Sequence, residues 1–151
     1  FRAETEVEFS PATFQQAAGL THYYNRHKFH FLAITHDPRA GRVLTIMSCL
    51  GDWPDGRLTF PLDGDNVPLP GETAVALAAE VRGASLAFSY RVDGEWRQIG
   101  AELDASIVSD EAGRGEHGSF TGAFVGMAAF DTSGSGLPAD FRYFSYERLA
   151  G

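Results

Sequence analysis

The chain has 151 residues, of which 44% are hydrophobic and 13% aromatic, which suits one globular domain with a hydrophobic core. Its net charge of −8 includes no basic stripe that could follow phosphates, which argues against nucleic acid and anionic membranes as partners. No apolar run reaches the ~18–20 residues of a membrane span, and no secretory signal pattern opens the chain.

The first residue and the single cysteine bear on the origin of the chain. It begins at Phe1 without an initiator Met, so we expect it to be a piece of a longer protein. Cys49 lies in an apolar run, which predicts a buried structural thiol and leaves no partner for an intrachain disulfide. One cysteine suits a soluble protein of either the cytoplasm or the exterior, so the compartment stays open.

Alternation of apolar and polar residues recurs along the whole chain, between clusters of Gly, Pro, Asn and Asp. This pattern is typical of an all-β sandwich or barrel. It predicts strands, in chain order, at residues 4–9, 20–25, 28–36, 42–50, 57–60, 73–81, 85–91, 95–99, 120–130 and 140–148. Loops are predicted at 51–56, 63–71, 109–119 and 132–138, and only residues 13–18 and 102–107 have enough helical character for a turn or so. We expect residues 1–151 to form a single β-sandwich domain.

The predicted strand at residues 120–130 has no charged residue on either face. Phe120, Phe124 and Phe130 alternate with small residues on one face, while Val125 and Met127 lie on the other. Such a strand is expected to be covered on both sides, at the centre of the packed structure.

Catalytic and metal-binding motifs are sparse. The chain has no GxSxG, HExxH or supported Cys–His pair, and its five histidines are scattered. Its loop carboxylates are interpreted as solvated turn residues. A structural calcium between the first and last strands is the one cofactor considered, with Glu6 or Glu8 and Asp140 as oxygen ligands.

Carbohydrate binding is the generic function that the aromatic content favours, since sugar C–H faces stack on flat rings and hydroxyls need polar partners. Tyr23, Tyr24 and Asn25 form one candidate group, and Trp53, in a Gly- and Asp-rich loop, is the best exposed candidate. Core packing is the competing interpretation for each aromatic residue, and it is preferred for Trp96.

Six stretches of the chain carry a family resemblance. They are residues 3–9 (AETEVEF), 14–25 (FQQAAGLTHYYN), 29–35 (FHFLAIT), 89–100 (SYRVDGEWRQIG), 120–134 (FTGAFVGMAAFDTSG) and 139–147 (ADFRYFSYE). As an ordered set they resemble the C-terminal β-sandwich domain of the β-xylosidases of glycoside hydrolase family 43. The resemblance implies a concanavalin A-like fold of the jelly-roll type, with two antiparallel sheets packed as a curved sandwich.

The resemblance also implies that the catalytic machinery lies outside this chain. In that family a propeller domain, N-terminal to the sandwich, carries three catalytic carboxylates, and a loop of the sandwich closes the rim of the substrate pocket with an aromatic side chain. That loop corresponds by position to residues 109–120, with His117, Ser119 and Phe120 as the candidate rim residues.

The chain departs from the family pattern at two positions. Family members often have two successive aromatic residues where this chain has Ser119 and Phe120. The rim contact is lost if it belongs to the first of the pair and is retained by Phe120 if it belongs to the second. Arg142 stands where the family commonly has an acidic residue, which argues against a carboxylate pair with Asp140 and against calcium.

The preferred hypothesis is therefore a non-catalytic accessory domain that packs on the propeller of a β-xylosidase or α-arabinofuranosidase and helps to close its pocket. Its partners would be that propeller and xylo-oligosaccharides, with oligomerisation through the longer protein. The alternative is an autonomous binding module for xylan or xylo-oligosaccharides. A third hypothesis, a purely structural module, would be favoured by a large exposed apolar patch.

Overall fold

Two antiparallel β-sheets face each other in the computed structural model, which describes residues 1–51, 56–112 and 122–151. The strands are β1 (Arg2–Glu8), β2 (Gln16–Asn25), β3 (Lys28–Asp37), β4 (Gly41–Leu50), β5 (Leu58–Thr59), β6 (Val67–Pro68), β7 (Val75–Arg82), β8 (Ser85–Arg91), β9 (Arg97–Asp104), β10 (Phe124–Asp131) and β11 (Asp140–Glu147). A 3₁₀ helix at Ala105–Val108 follows β9. None of the described residues forms a helix with the length and apolar character that a membrane crossing requires.

Each sheet combines strands from the first and the second half of the chain. The five-stranded sheet has the order β11-β1-β7-β8-β9, and the six-stranded sheet has the order β10-β2-β3-β4-β5, with β6 paired to β4. Every pairing is antiparallel. The last two strands, β10 and β11, therefore lie at the edges of different sheets. This architecture confirms the predicted all-β sandwich.

The core lies between the sheets and is built from the inward residues of alternating strands. The six-stranded sheet contributes Leu20, Leu32, Ile34, Leu44 and Ile46. The five-stranded sheet contributes Val7, Val75, Leu77, Leu86 and Phe88. All of these side chains are essentially inaccessible to solvent. Cys49 is also buried, as predicted.

Each of the ten predicted strands has a counterpart in the structure. The strand at 85–91 has the predicted limits, and most others differ by a few residues. The predicted strand at 57–60 is shorter, as β5, and that at 95–99 begins and ends later, as β9. The two-residue strand β6 lies inside the predicted loop 63–71, because its pairing depends on β4 and not on a local alternation.

The prediction that residues 120–130 form a centrally placed strand, covered on both sides, is wrong for the part that the structure describes. Among the described strands, β10 is at an edge and is hydrogen-bonded to β2 alone. Phe124 is 57% exposed, and Met127 and Phe130 are also exposed. The alternation correctly predicted that both faces of this strand are apolar, but a sequence pattern does not indicate what covers an apolar face.

Trp96 also differs from its prediction as a core residue. It is only half-buried, and the guanidinium groups of Arg2 and Arg91 each lie 4.8 Å from the centre of its ring. Cation–π contacts of this kind suit a ring on a polar, solvent-facing surface.

Gly19 marks a close approach of β2 to β3. It is the register partner of Ala33, and an added Cβ would overlap the carbonyl oxygen of Leu32. Gly126, in the neighbouring strand β10, has open space where its Cβ would be. Gly19 therefore has no room for a side chain, whereas Gly126 has, and the two positions make a matched pair for substitution.

We expect Gly19→Ala to destabilise the protein by ~2–4 kcal/mol, because β2 and β3 would have to separate or distort. Gly126→Ala should leave the free energy of unfolding unchanged or raise it slightly, since the substitution lowers the entropy of the unfolded chain. Urea denaturation followed by circular dichroism measures both. Equal stability of the two variants would contradict the close approach at Gly19.

Candidate functional site

The two outer faces of the sandwich differ in chemistry. The outer face of the five-stranded sheet carries a network of ion pairs, in which Arg2 contacts Glu4 and Glu80, and Arg82 also contacts Glu80. At its edge, Arg142 contacts the carboxylates of Glu6 and Glu8. Exposed charges of this kind are typical of a surface that faces water.

The outer face of the six-stranded sheet is apolar. We call it the apolar face and define it by Ala17, Tyr23, Phe29, Phe31, Ala33, Met47, Leu58, Phe124, Ala128 and Phe130. Ala17, Phe31, Ala33 and Met47 are buried against one another there, separately from the core between the sheets. Tyr23 and Phe29 stack with their ring centres 6.1 Å apart, and Phe31 packs on Phe130 at 6.4 Å.

A depression of about 460 Å³ lies at one end of the apolar face. Its aromatic residues are Phe14, Phe60 and Phe130, and its polar residues include Gln15, His36, Asp37 and Asn66. A second depression of about 250 Å³ continues along the same face, between Tyr23 and Phe130. A concave apolar surface with polar groups at one end can hold either a ligand or a protein surface.

Tyr23 and Tyr24, paired as carbohydrate-binding candidates, are separated by the structure. Because successive side chains of a strand point to opposite faces, Tyr23 lies on the apolar face and Tyr24 points inward. Tyr24 is 2% exposed, and its hydroxyl donates a hydrogen bond to Asp110 (2.7 Å). Asn25 accepts a hydrogen bond from the backbone N–H of His27, which shapes the turn between β2 and β3.

Only Tyr23 of these three side chains is therefore placed to contact a ligand on the apolar face. The other predicted binding or rim residues, Trp53, His117, Ser119 and Phe120, lie outside the described residues.

A buried lysine beside Tyr24 is the feature that sequence reasoning missed. Lys28 is 1% exposed, its ammonium group lies 4.5 Å from the centre of the Tyr24 ring, and it donates a hydrogen bond to the carbonyl of Ala112. Lys28 and Tyr24 together thus fix Asp110 and Ala112, immediately before residue 113. The period of two along β3 could have revealed this buried position, because Lys28 is in the same inward-facing series as His30, Leu32 and Ile34.

Two buried histidines extend this polar region. His30 is hydrogen-bonded to Ser48 (2.7 Å) and to the carbonyl of Asp104 (3.0 Å). His22 packs against Phe1, and within the described part of the chain its Nδ1 has no hydrogen-bond partner. Burial, and to a smaller extent the charge of His30, lowers the pKa of His22 from 6.5 to about 4. Burial also lowers the pKa of His30, an effect that its hydrogen bond to Asp104 partly offsets.

The suggested calcium ligands are brought together only in part. Glu8 and Asp140 are register partners across β1 and β11, as the first-and-last-strand arrangement requires. However, Glu8 and Glu6 are paired with the guanidinium of Arg142, which supplies the positive charge at this position. Nowhere in residues 1–51, 56–112 and 122–151 do three or more His, Cys, Asp or Glu side chains form a group that could hold a metal ion. The pairing of Glu6 and Glu8 with Arg142 thus argues against these carboxylates as calcium ligands.

The relationship to known proteins follows from comparison of the whole chain. The sequence model of the family described as "Beta xylosidase C-terminal Concanavalin A-like domain" matches residues 1–147. The chain belongs to this family. The match confirms both the resemblance to the C-terminal domain of family 43 β-xylosidases and the concanavalin A-like fold.

Individual members of the family support the same assignment. The chain is 48% identical over 146 residues to "Xylosidase/arabinosidase 43B" of Humicola insolens, which covers 95% of this chain and 27% of that protein. It is 42% identical over 149 residues to "Beta-xylosidase" of Bacillus subtilis, covering 97% of this chain and 27% of the relative. Among solved structures, xylan beta-1,4-xylosidase from Bacillus halodurans C-125 superposes with a TM-score of 0.90 at 33% identity, over 97% of this chain and 27% of that one. The chain thus spans about a quarter of the length of these relatives.

The adjacent tyrosines give a matched test of the buried polar region. Tyr24→Phe removes the buried hydroxyl that donates a hydrogen bond to the exposed Asp110, and it should lower the free energy of unfolding by ~0.5–1.5 kcal/mol, the usual net contribution of one hydrogen bond. Tyr23→Phe changes an exposed ring and should shift stability by less than ~0.5 kcal/mol. Urea midpoints measure both shifts, and equal effects would contradict the opposite placement of the two rings.

The lowered pKa of His22 predicts a pH dependence of stability. Between pH 6.5 and about 4, the unfolded chain takes up a proton at His22 that the folded chain does not, so the free energy of unfolding falls as the pH decreases through this window. The full loss at His22 is on the order of 3 kcal/mol. We expect His22→Leu to reduce this slope in urea titrations from pH 7 to 4, whereas His36→Leu, outside the buried pair, should retain it. An unchanged slope in His22→Leu would show that His22 is not held neutral in the folded state.

Proposed function

We propose that this chain is the non-catalytic accessory domain of a β-xylosidase, which packs on the catalytic domain of the longer chain and helps to close its substrate pocket. The observation that carries this proposal is the extent of the match. Nearly the whole chain aligns with relatives named as xylosidases, yet it accounts for only 27% of their length. The remainder of such an enzyme is large enough to hold a separate catalytic domain.

The chemistry of the described residues supports a non-catalytic role. Inverting hydrolysis of a glycoside requires two carboxyl groups that face one pocket, one as acid and one as base. The carboxylates of Glu6, Glu8 and Glu80 are instead neutralised by arginines on a solvent-facing surface. Among the described residues that line the two depressions on the apolar face, Asp37 is the one acidic residue, so these residues supply no pair of carboxylates.

Closure of the pocket is assigned to the loop that precedes β10. Residues His117, Ser119 and Phe120 remain the proposed rim residues, with Phe120 as the aromatic contact. The first residues of this loop are held in place by the Tyr24–Asp110 and Lys28–Ala112 hydrogen bonds. A fixed starting point reduces the conformational freedom of the loop that follows, which favours a defined position at the rim.

Autonomous binding of xylan or xylo-oligosaccharides is the alternative function. It is favoured by the half-exposed ring of Tyr23 and by the larger depression, where Phe14 and Phe60 are combined with Gln15, Asp37 and Asn66. Exposed rings beside amide and carboxylate groups are suited to stacking and hydrogen bonding with sugars. Trp53 would add a further ring.

The isolated chain is expected to show no hydrolysis of nitrophenyl β-xyloside and no heat of binding to xylohexaose, whereas the longer chain that contains it hydrolyses the xyloside. Enzyme-like turnover by the isolated chain would overturn the non-catalytic assignment. Calorimetric binding to the isolated chain that is lost in Tyr23→Ala and retained in the buried-site control Tyr24→Phe would favour the binding module instead. For such a shallow site, affinities of roughly 10–1000 μM would be expected.

A further inference from the structure

Exposed large hydrophobic side chains concentrate on one side of the sandwich. Most of those in the described part of the chain belong to the six-stranded sheet or to the loops beside it: Phe14, Tyr23, Leu50, Leu58, Phe60, Phe124, Met127 and Phe130. The opposite outer face has the arginine–glutamate network described above. Strand β11 of the five-stranded sheet also exposes three aromatic residues, Tyr143, Phe144 and Tyr146, but the larger exposed apolar surface belongs to the six-stranded sheet. A large exposed apolar surface marks one that is covered in the functional protein.

The β10 edge of the six-stranded sheet is also apolar and lacks the usual protection of an edge strand. Within residues 1–51, 56–112 and 122–151, strand β10 pairs with β2 on one side only. Its sequence, FVGMAAFD, contains no charged residue before Asp131 and no proline. Natural sheets protect edge strands with charges, prolines, bulges or a covering element, because unpaired backbone groups attract other strands. Since β10 lacks the sequence devices, a covering element is expected to protect it.

We infer that the apolar face and the β10 edge form the docking surface for the catalytic domain of the same longer chain. This inference rests on the proposed function and specifies the surface through which it operates. The relatives have almost three quarters of their length outside the region that this chain matches, which provides a covering partner within the same polypeptide. Permanent interfaces of this kind are more apolar than transient ones and resemble a domain core cut in half.

The position of β10 in the chain favours this partner over a second copy or a sugar. The loop proposed to reach the pocket rim ends at residue 120, and β10 begins at Phe124. A strand so close to the rim must itself lie beside the domain that contains the pocket. The central part of the apolar face offers mainly alkyl and aryl groups, and its polar side chains lie at one end, which suits a protein surface better than a chain of sugar hydroxyls.

Hydrogen–deuterium exchange on the isolated chain and on the longer chain tests the inference directly. Amides of β10 should exchange at least ~10-fold more slowly in the longer chain, because the edge is covered there. Strand β9 is the matched control, since it has the same length and is the edge of the five-stranded sheet. Its exchange should be unchanged.

Two lysine substitutions locate the surface independently. Phe124→Lys places a charge on the apolar face, and Tyr143→Lys places one at an exposed aromatic position on the five-stranded sheet. Neither should change the thermal midpoint of the isolated chain, which controls for folding. In the longer chain, Phe124→Lys should restore fast exchange in β10, whereas Tyr143→Lys should not.

The outcomes separate this inference from the function on which it rests. Protection of β9 or β11 in place of β10 would overturn the docking surface and leave an accessory domain that docks elsewhere. No protection anywhere would overturn both proposals. If raising the concentration of the isolated chain protects β10, the surface belongs to a second copy. If adding xylohexaose protects it, the surface binds sugar. Either result overturns the inference.

Discussion

The six-stranded sheet carries hydrophobic side chains on both of its faces, and the five-stranded sheet can cover only one of them. The inner residues, such as Leu32 and Ile46, complete the core with Val7 and Phe88. The outer residues, such as Phe31 and Met47, bury one another only in part and leave the rings of Phe124 and Phe130 exposed. Burial of apolar area is the main favourable contribution to folding and association, so the uncovered side is where the structure is incomplete. The proposed docking surface follows from this asymmetry.

The buried polar region performs a different task from the apolar core. Lys28, His30 and Tyr24 occupy inward positions at the end of the sheet where hydrophobic residues would otherwise pack. Removing a charged ammonium group from water is costly, and it is offset here by the Ala112 carbonyl and the ring of Tyr24. These bonds reach residues between the 3₁₀ helix and residue 113, so they couple the β2–β3 hairpin to a segment distant in sequence. Such bonds have defined directions, whereas apolar contacts tolerate sliding, so this region can position a loop as the core alone cannot.

The alternation of residue types predicted the strands well, because each central strand has one face toward the core. The environment of each strand could not be predicted in the same way. The sequence of an apolar strand face is the same whether another sheet, another domain or water lies against it. For this reason the alternation predicts a central position for β10, although the strand lies at an edge. Tyr23 and Tyr24 show the limit at the candidate site, since adjacent residues on a strand cannot share a face, and the period of two already contained that information. Lys28 was detectable from its inward position, but its partners near residue 112 depend on the tertiary fold.

The unprotected edge at β10 has a consequence for the order in which such a protein is synthesised. The family takes its name from the C-terminal position of this domain in β-xylosidases. Domains generally fold as they leave the ribosome, N-terminal ones first. An uncharged strand near the C-terminus would therefore emerge after the surface that receives it has already formed, and its backbone would be exposed to other nascent chains only briefly. Placed at the start of a polypeptide, the same strand would wait unpaired for its partner, so with the proposed docking the domain order would itself protect against aggregation.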